Sequence, residues 1–137
     1  MRRLLGIAIM CGGLAACALP GPGPVAGPPG DLHADRQACN TRYPPHLGNY
    51  LAHAQCVNAA VERDAIPAAH YPDLVRLQEQ LRVKYSAAID ERRLSPREGE
   101  HKMAEADNLV TAAMRDRDNG KREIAERRLD RLQAMLE

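Results

Sequence analysis

The sequence has no phenylalanine and no tryptophan, and Tyr43, Tyr50, Tyr71 and Tyr85 are its only large aromatic side chains. The core must therefore be assembled from Leu, Val, Ile, Met and many alanines, a thin apolar supply that suits helices rather than sheets. A stacking platform for sugar rings is missing too, and glycan hydrolysis further requires paired carboxylates in a cleft. Here Asp90, Glu91, Glu98, Glu100, Glu105 and Asp107 are spread as solvated helix faces. Charge of one sign is also lacking: 19 basic residues stand against 18 acidic ones, so nothing calls for a nucleic-acid partner. No apolar run reaches the ~20 residues needed to span a bilayer as a helix. There is no C-x-x-C-H pattern for haem attachment.

What is present begins with an address. Residues 1–16 have a basic start (Arg2, Arg3), an apolar stretch from Leu4 through Leu14, and small residues before a cut, the three parts of a secretory signal. The small pair is followed at once by cysteine, as Leu14-Ala15-Ala16-Cys17. These four residues resemble the lipobox of bacterial lipoproteins. The resemblance implies cleavage before Cys17, diacylglyceryl attachment to its thiol and acylation of the new amino terminus, since two or more chains make a stable anchor where one is marginal. Ala18, rather than Asp, follows the cysteine. In that family this implies delivery to the outer membrane, facing the periplasm, in a Gram-negative source. Ordinary secretion with a chance cysteine is the competing reading. Loss of the leader removes Arg2 and Arg3, leaving 17 basic residues against 18 acidic and a net charge near −1.

The four cysteines then sort themselves. Cys11 leaves with the leader and Cys17 is the lipid acceptor, so Cys39 and Cys56 remain to pair in an oxidising compartment. Closing a loop of roughly 18 residues stabilises by about 3 kcal/mol in the chain-entropy account. A zinc set of His53, Cys56, Cys39 and His46 can be drawn, as can a Cys–His nucleophile. Both need free thiolates and so compete with the bridge. Neither a metal, nor a cofactor, nor a catalytic residue is expected, and His33, His70 and His101 carry no site reading.

Residues 17–30 comprise the acceptor cysteine and a spacer rich in Pro and Gly, which exclude helix and sheet alike and leave a disordered linker. Its 13 residues after Cys17 extend to roughly 40 Å at most. Residues 31–137 are expected to form a small all-α bundle of four to five helices. In 31–66, a short helix capped by Asp31 and stopped by Pro44-Pro45 is followed by a second over Gly48 to Ile66, making a hairpin stapled by the cysteines. In 72–118, Pro72 opens a helix with Leu74, Leu77, Leu81, Tyr85 and Ala88 on one stripe and Arg76, Glu79 and Lys84 toward water. That helix is expected to end near Arg93.

The next start signal is the clearest in the chain: Ser95, Pro96 and Glu98 form a capping box. The helix it opens carries Met103, Ala106, Val110, Ala113 and Arg117 on one stripe. Asn119-Gly120 then signals a break or kink. The apolar set after it, in 121–136, is one position out of phase, so either a fifth helix begins or one long helix slips. A less firmly packed last segment is expected.

Between Leu81 and Ala106, ID-x-x-x-L-S-P-x-E resembles the short helical hairpin of SHOCT-type C-terminal modules, with Arg92 or Arg93 where those carry a turn glycine. The resemblance implies a structural or oligomer-forming element. The dense alternating charges of Arg115 to Arg131 read as an exposed helix with neighbouring ion pairs. With no convergent polar site, the sequence reads as a non-enzymatic envelope lipoprotein offering a helical surface to a periplasmic protein partner or to itself. Tyr43, Tyr50, Tyr71 and Tyr85 are the candidate contact residues. The alternative is an envelope inhibitor or small-ligand-binding module, acting through an exposed loop around Tyr43 to Leu47.

Overall fold

A computed structural model of the chain describes residues 30–137. The leader 1–16, the acceptor Cys17 and the spacer to residue 29 lie outside the described residues. Five α-helices follow one another: α1 (Leu32–Arg42), α2 (Tyr50–Asp64), α3 (Pro72–Asp90), α4 (Pro96–Asp118) and α5 (Arg122–Ala134). A single 3-10 turn, Ile66–Ala68, lies between α2 and α3, and the described residues contain no strand. The chain is all-α, as expected. Each helix packs on its sequence neighbour, and α5 also touches α3. Bonds from Arg76 to Glu62 and from the Gly48 N–H to Asp90 place α2 and α3 antiparallel, and those from Tyr71 to Asp118 and Gln78 to Asp107 do the same for α3 and α4.

Local chemistry sets the helix ends. Asp31 accepts from the Ala34 N–H at 2.9 Å, which starts α1. Pro72 and Pro96 stand in the first turns of α3 and α4, where a missing N–H leaves nothing unpaired. At the start of α4, Ser95 Oγ accepts from the Glu98 N–H and the Glu98 carboxylate accepts from the Ser95 N–H at 2.8 Å. The Ser95 hydroxyl also donates to that carboxylate at 2.6 Å, and this bond, with the one from the Ser95 N–H, holds the Glu98 carboxyl below its usual range.

Two helices end in one motif. After α4, the Lys121 N–H reaches the Asp116 carbonyl at 2.8 Å and the Gly120 N–H reaches Arg117 at 3.0 Å. After α3, the Arg93 N–H reaches Ala88 at 2.8 Å and the Arg92 N–H reaches Ile89 at 2.9 Å. Both are Schellman endings, which need one residue in the left-handed region. Gly120 (φ 71°) fills that place in the first and Arg92 (φ 60°) in the second. A side chain there costs about 1 kcal/mol or more. Of the two alternatives left open at Gly120, the structure selects a helix end and a separate fifth helix, and α3 stops at Asp90 rather than near Arg93.

The main core joins Leu74, Leu77, Leu81 and Tyr85 of α3, Ala106, Val110 and Ala113 of α4, and Leu132 of α5. The predicted stripe of α3 is thus buried. Small residues on α4 let its backbone come close, most visibly at Gly99, where a Cβ would lie 2.4 Å from Ile89 Cδ1. A second cluster of Cys39, Val57, Val61 and Ile66, with Leu32 and Val75 against it, holds α1 and α2 together and onto α3.

Three expectations are corrected. The last segment is not loosely packed: Ala125 and Leu132 are buried, because α5 turns at Gly120 and lays its shifted stripe on α3 and α4. Glu79 does not face water; α2 covers it, and it is 5% exposed. The charges of Arg115 to Arg131 pair across helices rather than along one. Arg128 bonds Asp116 at 2.7 Å, Arg131 bonds Glu105, and Arg117 bonds Asp73 at 2.7 Å.

Candidate functional site

Pro44-Pro45 stops α1, and residues 43–49 turn the chain into α2. The turn is heavily tied for its length. Asn49 Nδ2 donates to the Pro44 carbonyl at 3.1 Å and lies 2.8 Å from His46 Nε2, while His46 Nδ1 lies 3.0 Å from the Leu47 carbonyl oxygen. Behind it, Cys39 and Cys56 are joined by a disulfide that staples the two helices. Beside it stands the end of α3. The Asp90 carboxylate accepts from the Gly48 N–H at 2.7 Å, from Tyr50 N–H at 3.3 Å and from Leu51 N–H at 2.8 Å. Asn49, the N-cap of α2, makes no capping bond with its own side chain, so the cap comes from α3. Two covalently or electrostatically fixed supports thus hold an exposed tip whose leading side chain, Leu47, is 49% exposed.

The opposite end of the hairpin is where the chain enters. The Gly30 N–H donates to Asp64 Oδ1 at 3.3 Å, and Arg63 bonds both Asp64, at 2.7 Å, and Asp35, which is 2% exposed. The Arg63 hydrogen bond holds the Asp64 carboxyl below its ordinary value, and Asp64 in turn raises the Arg63 guanidinium. The 11 residues of α1 put about 16 Å between this end and the tip.

The four tyrosines do not converge. Tyr43 flanks the tip with the Arg42 guanidinium 5.5 Å from its ring, and Tyr50 opens α2 beside it. Tyr71 lies at the far end, where its hydroxyl donates to Asp118 at 2.9 Å and Arg117 covers its ring. The bond to Asp118 raises its pKa. Tyr85 is buried in the main core, with Lys102 over its ring, and burial raises its hydroxyl likewise. Only Tyr43 and Tyr50 share a surface region.

No family model, curated protein or solved structure matches this chain.

The remaining chemistry is sparse. The thiols of the drawn zinc set are spent on each other, and His53 Nε2 lies 2.7 Å from Asn40 Oδ1. Burial, with Arg82 nearby, lowers the His53 pKa. No three His, Cys, Asp or Glu side chains gather as a metal site among the described residues. A groove of about 460 Å³ between α2 and α3 is lined by Asn58, Glu62, Arg76 and Glu79. Glu79 Oε1 is buried there without a hydrogen-bond partner, and burial, then Glu62, pushes the Glu79 pKa up.

The sequence placed Leu47 in a candidate loop and Arg92 or Arg93 at a turn-glycine position, but it did not single out Asp90 as a cap. One signal for Asp90 was readable. The helices α2, α3 and α4 all end in aspartate, at Asp64, Asp90 and Asp118, where the helix dipole disfavours an anion. Each of the three has a partner outside its own helix: the Gly30 N–H, the start of α2 and the Tyr71 hydroxyl.

Proposed function

We propose that this is a non-enzymatic, lipid-anchored envelope protein that holds a rigid loop, residues 43–49, toward a protein partner. In this reading Cys17 carries the lipid in the outer membrane, the Pro/Gly stretch gives reach, and the helical domain displays the loop on the periplasmic side. The observation that carries it is the opposition of the two ends: Gly30, where the spacer joins, is bonded at one end of the stapled hairpin, and Leu47 stands exposed at the other. Rigid loops lose little entropy on binding, so contacts made by Leu47 and Tyr43 count nearly in full. No described helix is long and apolar enough to cross a membrane, so attachment in this reading rests on the acyl chains. The test is metabolic labelling with a fatty-acid probe and membrane fractionation of the wild type beside Cys17→Ala. Label and membrane recovery should both be lost in the variant; equal recovery overturns the anchor.

A second reading has one observation in its favour. An apolar tip on a disulfide-backed turn has the form of an inhibitory loop that occupies an enzyme's cleft. Turnover of cell wall by envelope lytic enzymes, measured with the wild type and with Leu47→Asp, separates this from simple docking.

A further inference from the structure

We propose that Leu47 and Arg92 together form the docking epitope, and that the partner is a protein with an apolar pocket edged by carboxylates. The inference rests on the anchored-display reading and adds the partner's chemistry. Leu47 and Ile124 are the exposed large hydrophobic residues of the described chain, and only Leu47 sits on a braced loop. Arg92 lies two residues beyond Asp90, whose carboxylate grips the Gly48 N–H, so both side chains belong to one end of the domain. Arg92 is the chain's non-glycine residue at positive φ among the described residues, although the matching motif at the far end uses Gly120. Its side chain is exposed. Backbone strain of this kind clusters at functional sites. Asp90 is engaged by three backbone N–H groups and Glu91 is paired with Arg93, and Arg92 has no ion-pair partner among the described residues. A leucine flanked by an arginine matches an apolar pocket with an acidic lip, the apolar part supplying affinity and the charge selectivity.

The test uses the full-length protein in its native envelope, with a photo-crosslinking residue at position 47, at 92, or at 124 on the opposite end as control. One shared protein should be captured from 47 and 92 and not from 124, through a peptide that carries acidic residues beside an apolar pocket. Arg92→Glu should lower capture from 47 by roughly tenfold or more, the effect of losing one well-placed charge pair. A Glu→Lys or Asp→Lys change in the captured peptide should restore it. Arg92→Gly should also lower capture while raising the thermal midpoint, which separates loss of the contact from loss of the fold. Unchanged capture in either Arg92 variant, equal capture from 124, or adducts with lipid or with a second copy alone would overturn the proposal. Membrane recovery of the same samples tells the two readings apart. Recovery without capture removes the epitope alone, and capture without recovery removes the anchor.

Discussion

Asp90, the last residue of α3, holds the Gly48 N–H at 2.7 Å and so supplies from one helix the cap that begins another. The same carboxylate reaches Leu51 N–H at 2.8 Å. Replacing it with alanine strands donors at the start of α2 and should cost about 1–2 kcal/mol, the ordinary range for a lost cap. Asp90→Asn, which keeps one acceptor oxygen, should lose less. Urea denaturation of both variants, with an unchanged slope, is the measurement.

Removing the staple tests the hairpin. Cys39→Ser with Cys56→Ser should lower stability by about 3 kcal/mol. Amide exchange at Gly48 should quicken by more than exchange in α4, since α4 lies outside the stapled pair. Equal quickening in both would mean that the hairpin does not open separately.

Glu79 should be a stability cost at neutral pH. Burial raises its folded pKa above the usual value near 4.5, with Glu62 adding to the rise and Arg82 and Arg76 opposing it. The folded state therefore binds its proton more tightly than the unfolded chain does. Stability from that preference is full below about pH 4 and is lost as the pH rises through the raised folded value. Glu79→Gln imitates the protonated acid. It should stabilise at pH 7, because the amide carries no charge to bury or to be repelled by Glu62, and the gain should shrink toward pH 4. Thermal midpoints across pH 4–8 check the sign.

Arg63 should show the opposite dependence. Its hydrogen bond depresses the folded Asp64 pKa, so the stability linked to Asp64 is present above the ordinary carboxylate value, 3.8, and is lost as the pH falls through the depressed one. Arg63→Gln should therefore be more destabilising at pH 7 than at pH 3. Arg63 also pairs with the buried Asp35, so the variant leaves that side chain without its partner as well. Denaturant midpoints at the two pH values decide it, and an equal loss at both would exclude the electrostatic account.

The parts legible beforehand were those in which cause and effect lie within a few residues. Asp31, Pro72 and the Ser95–Glu98 box announced helix starts, Asn119-Gly120 announced an end, and the α3 stripe at three- and four-residue spacing announced a buried face. Glu79 was misplaced because a helix has no fixed outside until a neighbour is laid on it. α3 is covered by α4 and α5 on one side and by α2 on the other, which widens its buried arc past the Leu stripe. The four tyrosines were grouped by size alone, and their positions along antiparallel helices send Tyr71 to one end and Tyr43 and Tyr50 to the other.

By itself, the sequence determined the helical class, the order of the helices and several of their starts, and it offered Cys39 and Cys56 as a pair, because capping and proline geometry are local facts. Only the tertiary structure decided that α5 closes the main core, that three helix-terminal aspartates find partners on other segments, and that Leu47 and Arg92 share one end. Those relations depend on which faces antiparallel helices present to one another, and a carboxylate at the end of α3 acquires its role only when the start of α2 is packed against it.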